Sequence, residues 1–214
     1  MRKINFALGE YYHVYNRGVD KRSIFIGQED TARFMQSMVE FNTHGTIGSI
    51  YENSFNKDEK IKANPIVSFV AYCLNPNHYH FLVTPLKEKG LETFMQRLGT
   101  GYTLYFNNRH KRSGSLFQGT FKATHVDTNE YLLHLSAYVN LNNKTHRLGG
   151  LASKLVKSSW KEYRASPNGG LCRKKIILGQ FNNFSEYKNF ASSSLADMIE
   201  RKDREKELKN LLID

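Results

Sequence analysis

The chain has few cysteines, only Cys73 and Cys172 in 214 residues. Two thiols exclude a disulfide scaffold and a cysteine-built zinc cluster, and they make a reducing cytoplasm the expected compartment. Four prolines and 15 glycines exclude a collagen-like or linker-dominated chain. Long apolar runs are also missing. The longest, around Ile66 to Leu74, falls far short of the ~20 residues a membrane-spanning helix needs. The opening residues, MRKINFALGEYYH, contain no apolar signal-peptide segment. Acidic side chains are outnumbered, with 20 Asp and Glu against 31 Lys and Arg, a formal charge of +11. Aromatics are plentiful: 14 Phe and 12 Tyr, within a hydrophobic fraction of 40%. That suffices for a packed core, and the length suits one domain with a modest appendage.

The basic excess lies mostly in residues 1–165. The segment from Thr93 to Val126 holds Arg97, Arg109, Lys111, Arg112 and Lys122, no acid, and the aromatics Tyr102, Tyr105, Phe106, Phe117 and Phe121. Cations interleaved with rings suit a phosphate backbone with unstacked bases. They equally suit a solubilising surface over core aromatics, or contact with an acidic membrane.

Periodicity predicts a strand over Tyr11 to Asn16, a helix over Gln28 to Phe41, and a hairpin of strands Ile66 to Leu74 and His78 to Thr84 around Asn75-Pro76-Asn77. A strand is possible over Gly45 to Tyr51. A helix is expected over Leu91 to Asn107, despite Gly99 and Gly101, with a short strand following Gly114 through Phe121. Asp127 is read as an N-cap, with Glu130 as its capping partner, for a helix over Tyr131 to about Asn142. A helical patch near Ser185 to Phe190 and a charged helix from Leu195 complete the chain. The order implies an α+β fold, a ferredoxin-like antiparallel sheet with helices packed on one face. Residues 1–165 form the domain, and residues 166–214 a helical tail packing on it or extending from it.

The sharpest motif is His78-Tyr79-His80. Residues i and i+2 of a strand share a face, so two imidazoles stand side by side as half of a divalent-metal site. On the helix after Asp127, His134, Tyr138 and Asn142 fall at i, i+4 and i+8, roughly in one line. If that line faces the histidine strand, Asn142 offers a carbonyl oxygen as third ligand and Tyr138 a phenol beside the metal. A substrate phosphate oxygen completes the set. A phenol favoured as phenolate by metal and basic neighbours is a candidate nucleophile. Spacing alone does not choose it, and Tyr131 and Tyr163 are rivals.

These motifs together resemble the single-tyrosine HUH transposases of the insertion-sequence type, most closely the REP-associated tyrosine transposases. The resemblance is carried by Tyr12-His13-Val14-Tyr15-Asn16-Arg17-Gly18, Leu74 to Val83, Gly114 to Lys122, Tyr138-Val139-Asn140-Leu141-Asn142, and Trp160 to Arg164. It implies the HUH endonuclease fold, with Tyr138 as nucleophile and His78, His80 and Asn142 as ligands of Mg²⁺ or Mn²⁺. The implied substrate is single-stranded DNA with a hairpin beside the cleavage site, nicked and rejoined through a covalent 5′-phosphotyrosine. Two imidazoles suit Mn²⁺ better than Mg²⁺. The implied setting is the bacterial cytoplasm. Asn143 stands where relatives commonly carry Pro. Insertion-sequence relatives exchange tyrosine helices in dimers, whereas this branch is more compatible with a monomer.

Arg17, Lys21, Arg22, Arg109, Lys111, Arg112 and Lys122 are the candidates for DNA phosphates. Phe117 and Phe121 are assigned to core packing ahead of base stacking. Two other functions fit the same residues: a non-catalytic binder of hairpin DNA or RNA, and a hydrolase using metal-bound water, which would survive loss of Tyr138.

Overall fold

Alternating apolar side chains build the sheet. Strands β1 (Tyr11–Arg17), β2 (Val67–Asn75), β3 (His78–Pro85), β4 (Lys122–Val126) and the two-residue β5 (Lys157–Ser158) lie in the order β4-β1-β3-β2-β5. Every pairing is antiparallel. The helices are α1 (Gln28–Glu40), α2 (Gly90–Arg109), α3 (Asn129–Thr145), the short α4 (Gly150–Leu155), α5 (Trp160–Arg164) and α6 (Lys175–Leu178), and α7 (Phe184–Leu211). This computed structural model describes residues 4–45, 64–145, 150–165 and 170–211. The possible strand over Gly45 to Tyr51 falls almost wholly outside them.

The antiparallel α+β reading holds, and the expected helical layer is present. Tyr12, Val14, Phe69, Tyr79 and Phe81 from the strands pack with Phe34 and Met38 of α1 and with Phe94, Leu98 and Tyr102 of α2. The α2 residues recur at helical spacing, which explains why the helix forms through two glycines. Glycine at 101 leaves room for the Phe41 ring, which a Cβ would approach to 2.6 Å and push aside. The expectation of helices on one face only needs correcting. The other face carries Val70, Ala71, Cys73 and Leu82, and these are covered by Leu135 and Val139 of α3 together with Tyr163, Tyr187 and Ala191. All of β2 is buried, as a strand sandwiched between two helical layers must be.

Three local expectations shift. The strand expected through Phe121 begins only at Lys122. The loop before it is fastened by a Gly18–Phe117 bridge and by the Gln118 amide donating to the Arg17 carbonyl at 2.8 Å. The cap of α3 is Thr128 rather than Asp127, its hydroxyl accepting the Tyr131 amide at 3.1 Å. The two tail helices are one continuous helix, α7.

Asp30 anchors the entry to α1. Its carboxylate accepts the Ile26 and Gly27 amides at 2.8 and 3.0 Å and meets His110 of the α2 end at 3.0 Å. Burial pushes its pKa up, but those two amides and His110 pull harder, so it lies below the ordinary carboxylate value. A depressed folded pKa gives stability that is present above the unfolded pKa of about 4 and lost as pH falls through the folded value. Asp30→Asn should therefore cost about 2 kcal/mol near neutral pH. Urea unfolding should show the gap to wild type closing as the pH drops below about 4.

Candidate active site

The site is built from strand parity. On β3, His78 and His80 point to the α3 side, while Tyr79 and Phe81 join the opposite core. β1 pairs in register with β3, Tyr15 opposite His80 and Arg17 opposite His78, so His13, Tyr15 and Arg17 share the histidine face. α3 lies across that face and contributes Tyr138 and Asn142. The result is a cavity of about 430 Å³ whose lining includes Tyr15, Arg17, His78, His80, Lys122 and Tyr138.

The four residues singled out for chemistry come together. Tyr138 stands edge-on to His80, ring centroids 5.4 Å apart. The His78 and His80 rings are 5.1 Å apart. His78 Nε2 is 3.3 Å from Asn142 Oδ1, and Asn142 is fully buried. Asn75, at the end of β2, donates from Nδ2 to Asn142 Oδ1 at 2.7 Å and lies 3.0 Å from His78 Nε2. Asn77 Oδ1 holds His78 Nδ1 at 2.6 Å, which leaves Nε2 as the nitrogen turned toward Asn142.

This donor set fits a divalent cation. Two imidazoles stand 5.1 Å apart with one carboxamide oxygen 3.3 Å from the first of them, a set of neutral donors that suits a divalent ion. Among the described residues, no group of three His, Cys, Asp or Glu could hold a metal. A cation here would therefore take His78, His80 and Asn142 and leave positions for phosphate oxygens.

Electrostatics modify one expectation. Burial raises the Tyr138 pKa above its ordinary value, the Asn142 amide opposes this, and Cys73, Tyr15 and Tyr131 add to the rise. The protein alone therefore holds a phenol.

Sequence reasoning missed His13, Tyr15 and Asn75. His13 Nε2 meets His80 Nδ1 at 2.8 Å, and the two rings stack. Burial lowers the His13 pKa to about 4. A neutral His13 can accept the Nδ1 proton of His80, the usual outer-shell arrangement for a ligating imidazole. The signal was present in the strand alternation His13, Tyr15, Arg17, but the strand pairing that gives it meaning is long-range.

The rivals are elsewhere. Tyr163 is buried and donates to the Val70 carbonyl at 2.9 Å. Tyr131, 37% exposed, lines a different pocket with His134. His134 itself bonds Ser194 of α7 at 2.8 Å. Asn143 does not end α3, which runs on to Thr145.

Of the phosphate candidates, Arg17 and Lys122 line the cavity. Lys21 and Arg22 sit in the turn after β1, with Arg22 bonded to Asp20 and the Val19 carbonyl. Arg109 is paired with Glu29 and Asp30, each at 3.5 Å. Arg112 bonds Asn107 and lies over Phe106, and Lys111 is exposed beside it. These three belong to the α2 end and are not brought to the cavity. Phe117 is buried and Phe121 packs on the first core, as expected. Cys73 is buried, its thiol pushed up to about 12, so it is unreactive.

A search of curated proteins by sequence finds no match. Among solved structures, one described as the REP-associated tyrosine transposase bound to a REP hairpin is similar in fold. The TM-score is 0.53 over 80% of this chain and 88% of that one, at 10% identity. No helix among the described residues is long and apolar enough to cross a membrane. The model of the family "Transposase IS200 like" matches residues 11–142, more than half the sequence, from β1 through the buried Asn142. The chain belongs to the IS200-like transposase family.

Proposed function

We propose that the protein is a metal-dependent endonuclease and strand transferase for single-stranded DNA, cutting beside a hairpin through Tyr138. The observation that carries this reading is the gathering of Tyr138, His78 and His80 in one cavity also lined by Arg17 and Lys122, with the buried Asn142 Oδ1 3.3 Å behind His78. The hairpin-bound relative, similar in fold, supports the choice of substrate.

Arg17 and Lys122 hold the phosphates on either side of the scissile bond. The Tyr138 oxygen attacks phosphorus, the bond from phosphorus to the 3′ oxygen breaks, and a 5′-phosphotyrosine forms. The phenol gives up its proton as the bond forms, and the departing 3′ oxygen takes one up. The ester bond is exchanged rather than hydrolysed, so a 3′ hydroxyl can reverse the reaction and rejoin the strand. His78, His80 and Asn142 would hold Mg²⁺ or Mn²⁺, which supplies positive charge at the scissile phosphate. His13 and Asn77 fix the two imidazoles in orientation, and Asn75 fixes Asn142. The protein acts as a monomer, and Tyr187 and Ala191 of the 166–214 tail pack on the 1–165 domain.

The test is a denaturing gel of the protein with labelled, hairpin-flanked single-stranded DNA, with Mn²⁺ or with EDTA. A metal-dependent adduct that disappears on protease digestion is the expected result. His78→Ala and Asn142→Ala should each lower its yield by at least about 10- to 100-fold, the range already seen when only a partner of a metal ligand is removed. Cleavage without an adduct identifies a metal–water nuclease. Tight binding without cleavage in either metal identifies a non-catalytic hairpin binder.

A further inference from the structure

A second basic surface lies at the β5 edge of the sheet, apart from the cations on the β1 and β4 side. A cleft of about 520 Å³ between the end of α3, α4 and α5 is lined by Lys144, Lys154, Lys157 and Lys161, with Asn143 and Trp160. All four lysines are exposed, and none has an ion-pair partner among the described residues. The one acid of the lining, Glu162, is engaged inward, accepting the Tyr72 hydroxyl and the Cys172 amide at 2.9 Å each. From Leu141 to Ala165 the sequence carries Lys144, Arg147, Lys154, Lys157, Lys161 and Arg164 against Glu162 alone. Gathering uncompensated cations on one surface works against the folded state through self-repulsion, and an anionic partner offsets it.

The cleft is built from continuations of the elements that carry the site. Asn143 and Lys144 directly follow Asn142 on α3, and Lys157 pairs with Leu74, the neighbour of Asn75. A cleft of this volume is in the range of small-ligand sites, roughly 300–1,000 Å³, and so suits a nucleotide rather than the width of a duplex. Trp160, half-buried in its wall, is the kind of side chain that accompanies basic grooves for single strands.

We infer that this lysine cleft binds the phosphates of the single-stranded DNA flank that leaves the Tyr138 cavity, on the side opposite Arg17 and Lys122. The inference rests on the DNA-processing reading above. The test uses the full chain and fluorescence anisotropy with three labelled DNAs: a blunt hairpin, and the same hairpin with a single-stranded tail on its 5′ or its 3′ side. The variant is K144Q/K154Q/K157Q/K161Q, with the four Lys→Arg changes as the charge-preserving control. For one of the tailed hairpins, the Gln variant should bind about tenfold or more weakly. The slope of log affinity against log salt should shrink by about 2 to 3, as expected when four single-strand phosphates go un-neutralised at ~0.7 each. The Arg variant should match wild type, and blunt-hairpin binding should not change. Equal affinity and slope for the Gln variant and wild type on both tailed hairpins would overturn the cleft assignment and leave the catalytic reading standing. A loss of equal size on blunt and tailed DNA would overturn the assignment to the flank. Failure of the wild type to bind any of the three removes the DNA reading itself, and this inference with it.

Discussion

Tyr138→Phe should abolish the covalent protein–DNA adduct and lower strand cleavage by at least ~10³-fold, as removal of a nucleophile does. Hairpin binding should stay within about twofold of wild type, since an uncharged group at the edge of an interface adds little affinity. The substitution isolates chemistry from architecture because the ring does the packing. It stands edge-on to His80 at 5.4 Å and to His13 at 6.0 Å, and Phe preserves both arrangements. Tyr15 is the necessary comparison. It lines the same cavity and stacks on His80 at 5.7 Å, so among the described residues it is the other phenol of that cavity. Tyr15→Phe should keep the adduct, and the reverse result would move the nucleophile from α3 to β1. The pH dependence follows from the raised pKa of Tyr138. With the phenol protonated at neutral pH, the ionised fraction grows with every step upward. The rate of adduct formation should climb between about pH 6 and 9, as measured by quenched time courses.

Tyr187→Ala should cost about 3–5 kcal/mol of stability, lowering Tm by on the order of 10 °C in a chain of this size. Tyr187 is fully buried although it comes from the tail. Its ring packs with Tyr163, Phe181 and Trp160. Its hydroxyl takes the Asn140 Nδ2 at 3.0 Å and pairs with Ser136 at 3.1 Å, both residues of α3. Asn140 Oδ1 in turn accepts Ser159 Oγ at 2.6 Å, and Ser159 holds the Tyr72 amide of β2 at 2.9 Å. Removing the phenol opens a cavity and strands a buried carboxamide. Tyr187→Phe separates the two effects, keeping the packing and losing about 1–2 kcal/mol for the hydroxyl. Differential scanning calorimetry of the pair reads the partition. Because the same network positions α3, the Ala variant should also lose activity below its melting temperature. The Phe variant should lose much less.

The features legible from sequence are those governed by short-range periodicity. The β2–β3 hairpin, α1, α2 and the Tyr138–Asn142 line follow from spacing within a single element. The His78–His80 face is set by the two-residue repeat of a strand, which no tertiary contact can invert once Tyr79 and Phe81 are buried on the other side. Features that depend on pairing between distant segments are not legible in this way. His13 acquires its role only when β1 lies beside β3. Asn75, which reads as part of a turn, supports Asn142 because α3 crosses the end of β2. Arg109 reads as a phosphate ligand for the same reason, its partner Asp30 being far away in sequence. Thr128 displaces Asp127 as the cap because both are good capping residues and only the backbone path selects between them. The second helical layer is hidden because α7 has a weakly amphipathic, mixed-charge sequence, and its burial depends on a few residues such as Tyr187 and Ala191.

The fastening of α3 on two sides, to β2 through Ser159 and to α7 through Tyr187, has a kinetic consequence. The phenol, both imidazoles and the carboxamide are all supplied by one polypeptide, and exchanging α3 with a neighbour would mean undoing the tail as well. On the proposed chemistry, the DNA end left on Tyr138 would stay with the molecule that made the cut, so nicking should be first order in protein, with a rate constant that does not fall on dilution.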